Sequence, residues 1–463
     1  MSITTPEDPT YPVRIVGAAI RDLDATIVGP VLIAGDPGYD DEIAGFNVAN
    51  VLTPEVVVGA TNADDVAAAV RYARANNLRI GVRATGHGPI PEGRGYMVIT
   101  TSRMNDVTVD PVAKTARVGA GARWRDVIAK TAPHGLAGIS GSSSSVGVVG
   151  YTLGGGLSPL GRRFGFAADR VRSIEVVTAD GTVRTVDAGA GSDLFWALLG
   201  GRDGFGIVTA LEFEVVELAT LYGGGIFFAA AAAENILHAW QRWAPNLPEE
   251  AGTSIAILRL PPDPQLPLPL QGQTVVHLRF TYVGDPAVGA QLLEPMTTTG
   301  PVLLQNIDVI PAAALDAVHM DPPGPLPSVE HGDGLSELPS EAVDAILAAV
   351  GPDVVSPLAI VEVRRLGGKL ATPQGIPNSV TGRDAEYVVL AVAVPDGPLG
   401  DLAGPHLDAV AGAIAPWASS GLLNFAGRRS SAELPTLWSE RDRVRLAEIR
   451  RRHDPTGVFG RGI

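Results

Sequence analysis

The sequence predicts an α+β fold, and three observations predict it. A β-branched run at residues 55–60, a helical pattern over 63–77 and an apolar run over 78–83 make a β-α-β unit. Past residue 218 the texture changes to strand patterns at 254–260, 274–282, 358–366 and 385–394, interleaved with helical patterns at 234–243 and 340–350. That succession reads as an antiparallel sheet with helices on one face. The third observation is size: 463 residues with 46% hydrophobic content exceed one ordinary core and make two or three domains.

The elements follow in order. Thr61 and Asn62 can cap the helix at 63–77, whose Val66, Val70, Tyr72 and Ala73 recur at roughly helical spacing. Short strands are predicted at 97–100, 107–109 and 116–118, and a helix at 124–132. Residues 173–186 read as two strands around the turn Ala179-Asp180-Gly181. Ser192 can cap a short helix at 193–199, and an alternating strand follows at 207–218. The stretch 226–233 is a buried strand or a strand-to-helix transition. Proline-rich segments at 261–269 and 321–327 read as loops. The pattern at 406–419 is helical until Pro416, and a charged helix is expected at 438–453, stopped by Asp454-Pro455-Thr456-Gly457.

Composition excludes several functions. The net charge of −15 disfavours a nucleic-acid partner. The basic cluster at 445–452 reads as the solvated face of the last helix. There are no cysteines, so thiolate metal sites, disulfides and cysteine nucleophiles are ruled out. The eight histidines include no pair at helical ligand spacing, so no metal is expected. Residues 1–14 lack a basic-then-apolar leader pattern, and no run approaches the ~18 apolar residues of a membrane span. The expectation is a soluble cytoplasmic protein without a membrane partner.

Two loops carry the chemistry. Arg83-Ala84-Thr85-Gly86-His87-Gly88-Pro89 brings one imidazole and unshielded backbone N–H groups to a fixed place after a buried strand. Gly141-Ser142-Ser143-Ser144-Ser145-Val146-Gly147 then leads into a run ending Gly154-Gly155-Gly156. Apolar anchors at Val146, Val148, Val149 and Leu153 argue against a flexible linker. Serine hydroxyls with open N–H groups suit an acceptor-rich anion such as a pyrophosphate. No Gly-Lys-Ser/Thr follows, no Gly-x-Gly-x-x-Gly occurs, and Ser140 lacks a nucleophile elbow.

Separated motifs then share one pattern, in order: Arg83 to Gly88, Val146-Gly-Val-Val-Gly150, Leu153-Gly-Gly-Gly156, Gly161 to Asp169, Val176 to Gly181, Asp193 to Leu198, Phe205 to Thr209, Glu362 to Gly368, Arg383 to Tyr387, Asn424-Phe425 and His453 to Phe459. Over roughly residues 40–463 the chain resembles the FAD-linked oxidases of the vanillyl-alcohol-oxidase superfamily, in the berberine-bridge-enzyme-like branch with bacterial members. The resemblance implies a two-part FAD-binding domain (1–218, with 421–463 returning to it) and an inserted substrate domain (219–420). It implies a covalent bond from His87 to the 8α-methyl of FAD. The second, cysteinyl link of many relatives would fall near Ser143 and is impossible without cysteine. Arg83, Ala84, Thr85, Gly86, Gly88 and Ser142, Ser143, Ser144, Ser145 and Gly147 would hold the pyrophosphate. Gly150, Gly154, Gly155 and Ile207 would line the rest of the cofactor path. Thr101 and Ser102 would reach the cofactor or simply end a strand.

The implied reaction is hydride removal from a C–H beside a hydroxyl or amine of a bulky small molecule, with O2 as acceptor. Leu422 stands where relatives often carry a tyrosine base, and Tyr151 where they often carry histidine. The remaining catalytic candidates are Glu362, Tyr387, Asn424 and Tyr151. Glu362 and Arg364 share a strand face, so they point at substrate or pair with each other. A buried Glu362 with raised pKa would accept a proton; Tyr387 equally suits a packed core. Loss of the usual tyrosine keeps two rivals open, a flavin-bound cyclase or isomerase and a flavoprotein without turnover.

Overall fold

The computed structural model describes residues 17–88, 95–322, 324–396, 399–430 and 432–460; the segment 1–14, read above for a leader, and Pro89 lie outside these. The β-α-β unit forms as its pattern dictates. Strands Val56–Gly59 and Arg79–Arg83 both pair in parallel with Tyr96–Thr100, and Val31–Leu32 closes the sheet antiparallel. Helix Ala63–Ala75 covers it through Val66, Ala69, Val70 and Ala73, all fully buried. Its N-terminus is capped by the Asn62 side chain, which accepts from the Asp65 N–H at 2.9 Å.

A second sheet runs in the order Val107–Asp110, Thr115–Gly119, Ile207–Glu214, Val171–Val177, Val183–Asp187, all antiparallel. The end of the chain returns to these two units. Leu446 and Ile449 of helix Glu440–His453 join the core of the second, while Val458 and Phe459 enter the core of the first.

Between these ends lies a nine-stranded antiparallel sheet built from strands between Thr220 and Ser419. Helices Ala233–Trp243, Ser340–Val350 and Ala403–Ile414 share a core with one face, around Phe228, Trp240, Ile255, Leu278, Phe280, Val363 and Val389. Trp240 is fully buried, and its truncation to alanine would cost about 3–5 kcal/mol. This is the expected sheet with helices on one side. The other face turns to the N-terminal units: Thr281 donates to the Pro159 carbonyl at 3.0 Å, and Arg162 Nε donates to the Ala251 carbonyl at 2.8 Å.

Some elements differ from expectation. Strand Val329–Leu335 and helices Val148–Leu153 and Pro286–Thr297 were not anticipated. Ser192 lies inside its helix, with Gly191 at the cap in a left-handed conformation. The helix expected at 406–419 is Ala403–Ile414, and Pro416 falls in the 3-10 turn after it. No helix among the described residues is long and apolar enough to cross a membrane.

Candidate cofactor and active site

The His87 loop is held by a segment that sequence patterns did not single out. Phe46 N–H donates to the Thr85 carbonyl at 2.9 Å and Asn47 N–H to the Gly86 carbonyl at 3.0 Å. Gly86 has φ +72°, and a Cβ there would come within 2.7 Å of the Gly45 Cα, so both glycines are needed for the approach. The Phe46 ring stacks on the His87 imidazole, centroids 4.0 Å apart. Thr85 Oγ1 lies 2.9 Å from His87 Nδ1. Burial, reinforced by the Arg123 charge, pushes the His87 pKa down to about 4. The imidazole is therefore neutral at ordinary pH, with a nitrogen lone pair available. It borders a cavity of about 340 Å³ lined also by Ala84, Thr85, Ser102, Arg123 and Pro325.

Arg83 ends the preceding strand, 3% exposed, and its Nε and Nη2 have no hydrogen-bond partner among the described residues. Burial pulls its pKa down. An unpaired buried guanidinium is costly, so the position suits an anion. The serine loop behaves as an anion reader too. Ser144 N–H donates to both carboxylate oxygens of Asp316, at 3.0 and 3.1 Å, and its hydroxyl to Oδ2 at 2.5 Å. The Ser143 and Ser145 hydroxyls bond each other at 2.8 Å. Gly147 draws the two loops together: a Cβ there would lie 3.4 Å from the Thr85 side chain and 3.7 Å from Ala84. Gly150 is exposed, and a Cβ there would meet nothing within 4 Å.

Other expected residues sit apart from the cavity lining. Thr101 is packed, its hydroxyl donating to the Ala120 carbonyl at 3.3 Å, whereas Ser102 faces the cavity. Ile207 is core, packed with Val177 and Phe459. Gly154 abuts Asn424, and Gly155 has φ +107° against Val380.

Residues 54–187 match the family model described as an FAD binding domain. The described geometry fits that cofactor: an orphaned buried arginine and a serine loop already holding a carboxylate suit its pyrophosphate, and a neutral imidazole stands beside the cavity. The FAD-dependent monooxygenase prx3 of Penicillium roqueforti is 34% identical over 209 residues, 44% of this chain and 41% of that protein. The (R)-6-hydroxynicotine oxidase of Paenarthrobacter nicotinovorans is 31% identical over 235 residues, 50% of this chain and 48% of that protein. The matched stretch thus spans less than half the length of either curated relative. The Physcomitrella patens BBE-like 1 structure superposes with a TM-score of 0.82 at 19% identity, covering 95% of this chain and 97% of that one. The chain thus carries an FAD-binding domain over residues 54–187 and has the overall fold of the berberine-bridge-enzyme-like structure.

In this flavoprotein the face of the large sheet opposite its helices is polar in one part and apolar beside it, where Phe227, Leu258, Val275 and Ile360 cluster. Register places His277, Arg279 and Thr281, Ser254, and Glu362 and Arg364 on that one face. Glu362, 4% exposed, accepts from Arg279 Nη1 at 2.8 Å and Arg364 Nη2 at 2.9 Å, with His319 Nε2 at 3.5 Å. Burial pushes its pKa up, but the Arg364 and Arg279 charges outweigh that and hold it well below the usual carboxylate range. The expected raised pKa is thus reversed: two guanidiniums stabilise the carboxylate form and make it a poor base. Arg364 also lies over the Phe425 ring at 5.6 Å.

The other catalytic candidates are placed differently. Tyr387 pairs with Arg365, not Arg364, so it points to the helix-covered core, edge-on to Trp240 at 6.0 Å. That geometry removes it from the polar face. The Tyr151 hydroxyl donates to the Ile139 carbonyl at 3.1 Å, and burial raises its pKa. Asn424 Nδ2 donates to the Tyr151 carbonyl at 2.8 Å, tying the returning C-terminal segment to the glycine run. Sequence reasoning missed Arg279, His277, His319 and Glu330. The first two had a signal, since His277, Arg279 and Thr281 alternate with Val276, Leu278 and Phe280.

Proposed function

We propose that this flavoprotein is an FAD-dependent oxidoreductase that oxidises a C–H beside a hydroxyl or amine of a bulky small molecule, with O2 as final acceptor. Bound FAD supplies the two-electron acceptor for the departing hydride. The observation that carries the reading is the neutral His87, stacked on Phe46 beside a cavity and flanked by anion-reading groups. Arg83 and the N–H groups of the two loops hold the pyrophosphate, and Ser102 borders the same cavity. His87 offers its lone pair for a covalent bond to the flavin 8α-methyl; with no cysteine in the chain, the tether is single. The polar part of the sheet face orients substrate: Arg279 and Arg364, fixed by Glu362, present cationic edges, and Ser254 Oγ has no partner among the described residues.

The relatives' names set the first probes. (R)-6-hydroxynicotine and a panel of secondary alcohols and cyclic amines are mixed anaerobically with purified holoprotein. Loss of visible flavin absorbance with at least one probe is the expected result. Tight binding of probes without bleaching, with probe isomerised instead, would contradict it.

A further inference from the structure

Glu330 is the one carboxylate on the sheet face opposite the helices without an ion-pair or hydrogen-bond partner among the described residues. Its strand, Val329–Leu335, pairs with Tyr387–Ala393, and that strand with Leu358–Arg365. Glu330 stands opposite Val392, and Val392 opposite Ile360; Gly332 stands opposite Leu390, and Leu390 opposite Glu362. Paired residues share a face, so Glu330 lies on the same face as Glu362, two strands across the sheet and one two-residue step along it, with Val392 and Leu390 of the strand between them. The odd-numbered Val329 and Leu335 turn instead to the helix-covered core.

The same segment leads back to the cofactor loop. Pro325 lines the His87 cavity. Leu326 N–H donates to the Phe46 carbonyl at 2.9 Å, and Phe46 is the ring stacked on His87. Asn47 and Ser328 exchange two hydrogen bonds, at 2.9 and 3.1 Å. Glu330 is two residues further on. Its side chain is half-buried, beside Val392 and Ile360, which are also half-buried and apolar.

We infer that Glu330, and not Glu362, is the catalytic base of the oxidation proposed above, for a substrate whose apolar body lies over Val392 and Ile360. The inference rests on the redox reading. For an alcohol, the O–H bond breaks and its proton passes to the Glu330 carboxylate. The adjacent C–H bond breaks and its electron pair leaves with the hydrogen as hydride to FAD. A C=O bond forms. The two carboxylates divide the work by environment: Glu362 is locked ionised between arginines, while Glu330 is desolvated without a cation to offset it, which pushes its pKa up to about 7. The charges packed around its strand are engaged elsewhere. Arg428 pairs with Asp408, and Arg429 with Asp333, which His331 also contacts at 2.7 Å; Glu433 is held by Ser430. On the neighbouring strands the groups opposite it are Val392 and Ile360.

The test uses holoprotein carrying glutamate labelled with 13C at the side-chain carboxyl, with Glu330→Gln, Glu330→Asp and Glu362→Gln beside it. One carboxyl signal should titrate near pH 7, vanish in Glu330→Gln and persist in Glu362→Gln. With the alcohol or amine probe that bleaches wild type, anaerobic flavin reduction in Glu330→Gln should fall about 100-fold or more and lose its limb near pH 7. Glu330→Asp should recover part of the rate. A Glu330 signal titrating in the ordinary carboxylate range overturns the inference, as does an unchanged rate and pH profile in a Glu330→Gln protein that retains flavin. If no probe bleaches wild type, the redox reading fails by itself, and the titration still decides whether Glu330 holds a proton at neutral pH.

Discussion

Replacing Glu362 tests whether this carboxylate holds the site together or performs its chemistry. Arg279, Arg364 and Glu362 are 3%, 7% and 4% exposed, so water cannot compensate for a lost partner. Glu362→Gln keeps the shape and removes the charge, leaving two guanidiniums buried side by side. Breaking a buried ion pair by removing one partner costs about 3–5 kcal/mol, and retained amide hydrogen bonds put Gln near the lower figure. For a domain of 150–250 residues, each kcal/mol moves Tm by about 2–4 °C, so Glu362→Gln should melt about 6–12 °C earlier and Glu362→Ala earlier still. The pH dependence has a fixed sign. The folded-state pKa of Glu362 is depressed, so its contribution is present above the unfolded carboxylate value of about 4.3 and is lost as pH falls below it. The stability gap between wild type and Glu362→Gln should therefore be full at pH 7 and shrink on acidification below about pH 4. Circular dichroism melts across pH would measure both. A Glu362→Gln protein that melts with wild type but no longer lets substrate bleach its flavin would refute the reasoning and restore Glu362 as a base.

Two other perturbations follow. Asp65, 2% exposed, accepts from the N–H groups of Val28, Gly29 and Thr61 and from the Thr61 hydroxyl. Burial raises its pKa but these bonds more than reverse that, so Asp65→Ala should cost about 2–4 kcal/mol in urea unfolding at pH 7, with the cost shrinking as pH falls below about 4. Gly86→Ala places a methyl against Gly45 at a positive φ; it should lift residues 45–47 from the His87 loop and lower the flavin content of purified protein, read as the ratio of flavin to protein absorbance.

Much of the fold was legible because its strands alternate cleanly. The patterns at Thr274–Tyr282 and Ser340–Val350 carry their elements to the residue. Strand Val329–Leu335 was not legible because Gly332 and Gly334 leave no side chains on the face that Phe425 and Ser420 cover, so no alternation shows. Helix Pro286–Thr297 hides behind Gly289 and Pro295, and helix Val148–Leu153 inside a glycine run. The cofactor loops were readable since their residues are contiguous. The sheet-face cluster was not, because Arg279, His319 and Glu362 meet only through long-range pairing and the turn Ala312–Val318. The reversal at Glu362 has the same origin: its own strand supplies Arg364, but Arg279 comes from two strands away. Glu330 was invisible for a related reason, since its chemistry lies in the charges it does not meet.

The most direct measurement of the central claim is acid precipitation of purified protein, followed by the visible spectrum of pellet and supernatant. The account predicts yellow flavin in the wild-type pellet and, for a folded His87→Ala protein, flavin released to the supernatant or missing from the start. Flavin that stays in the pellet of His87→Ala, or that leaves the wild-type pellet completely, would contradict a single covalent tether at His87.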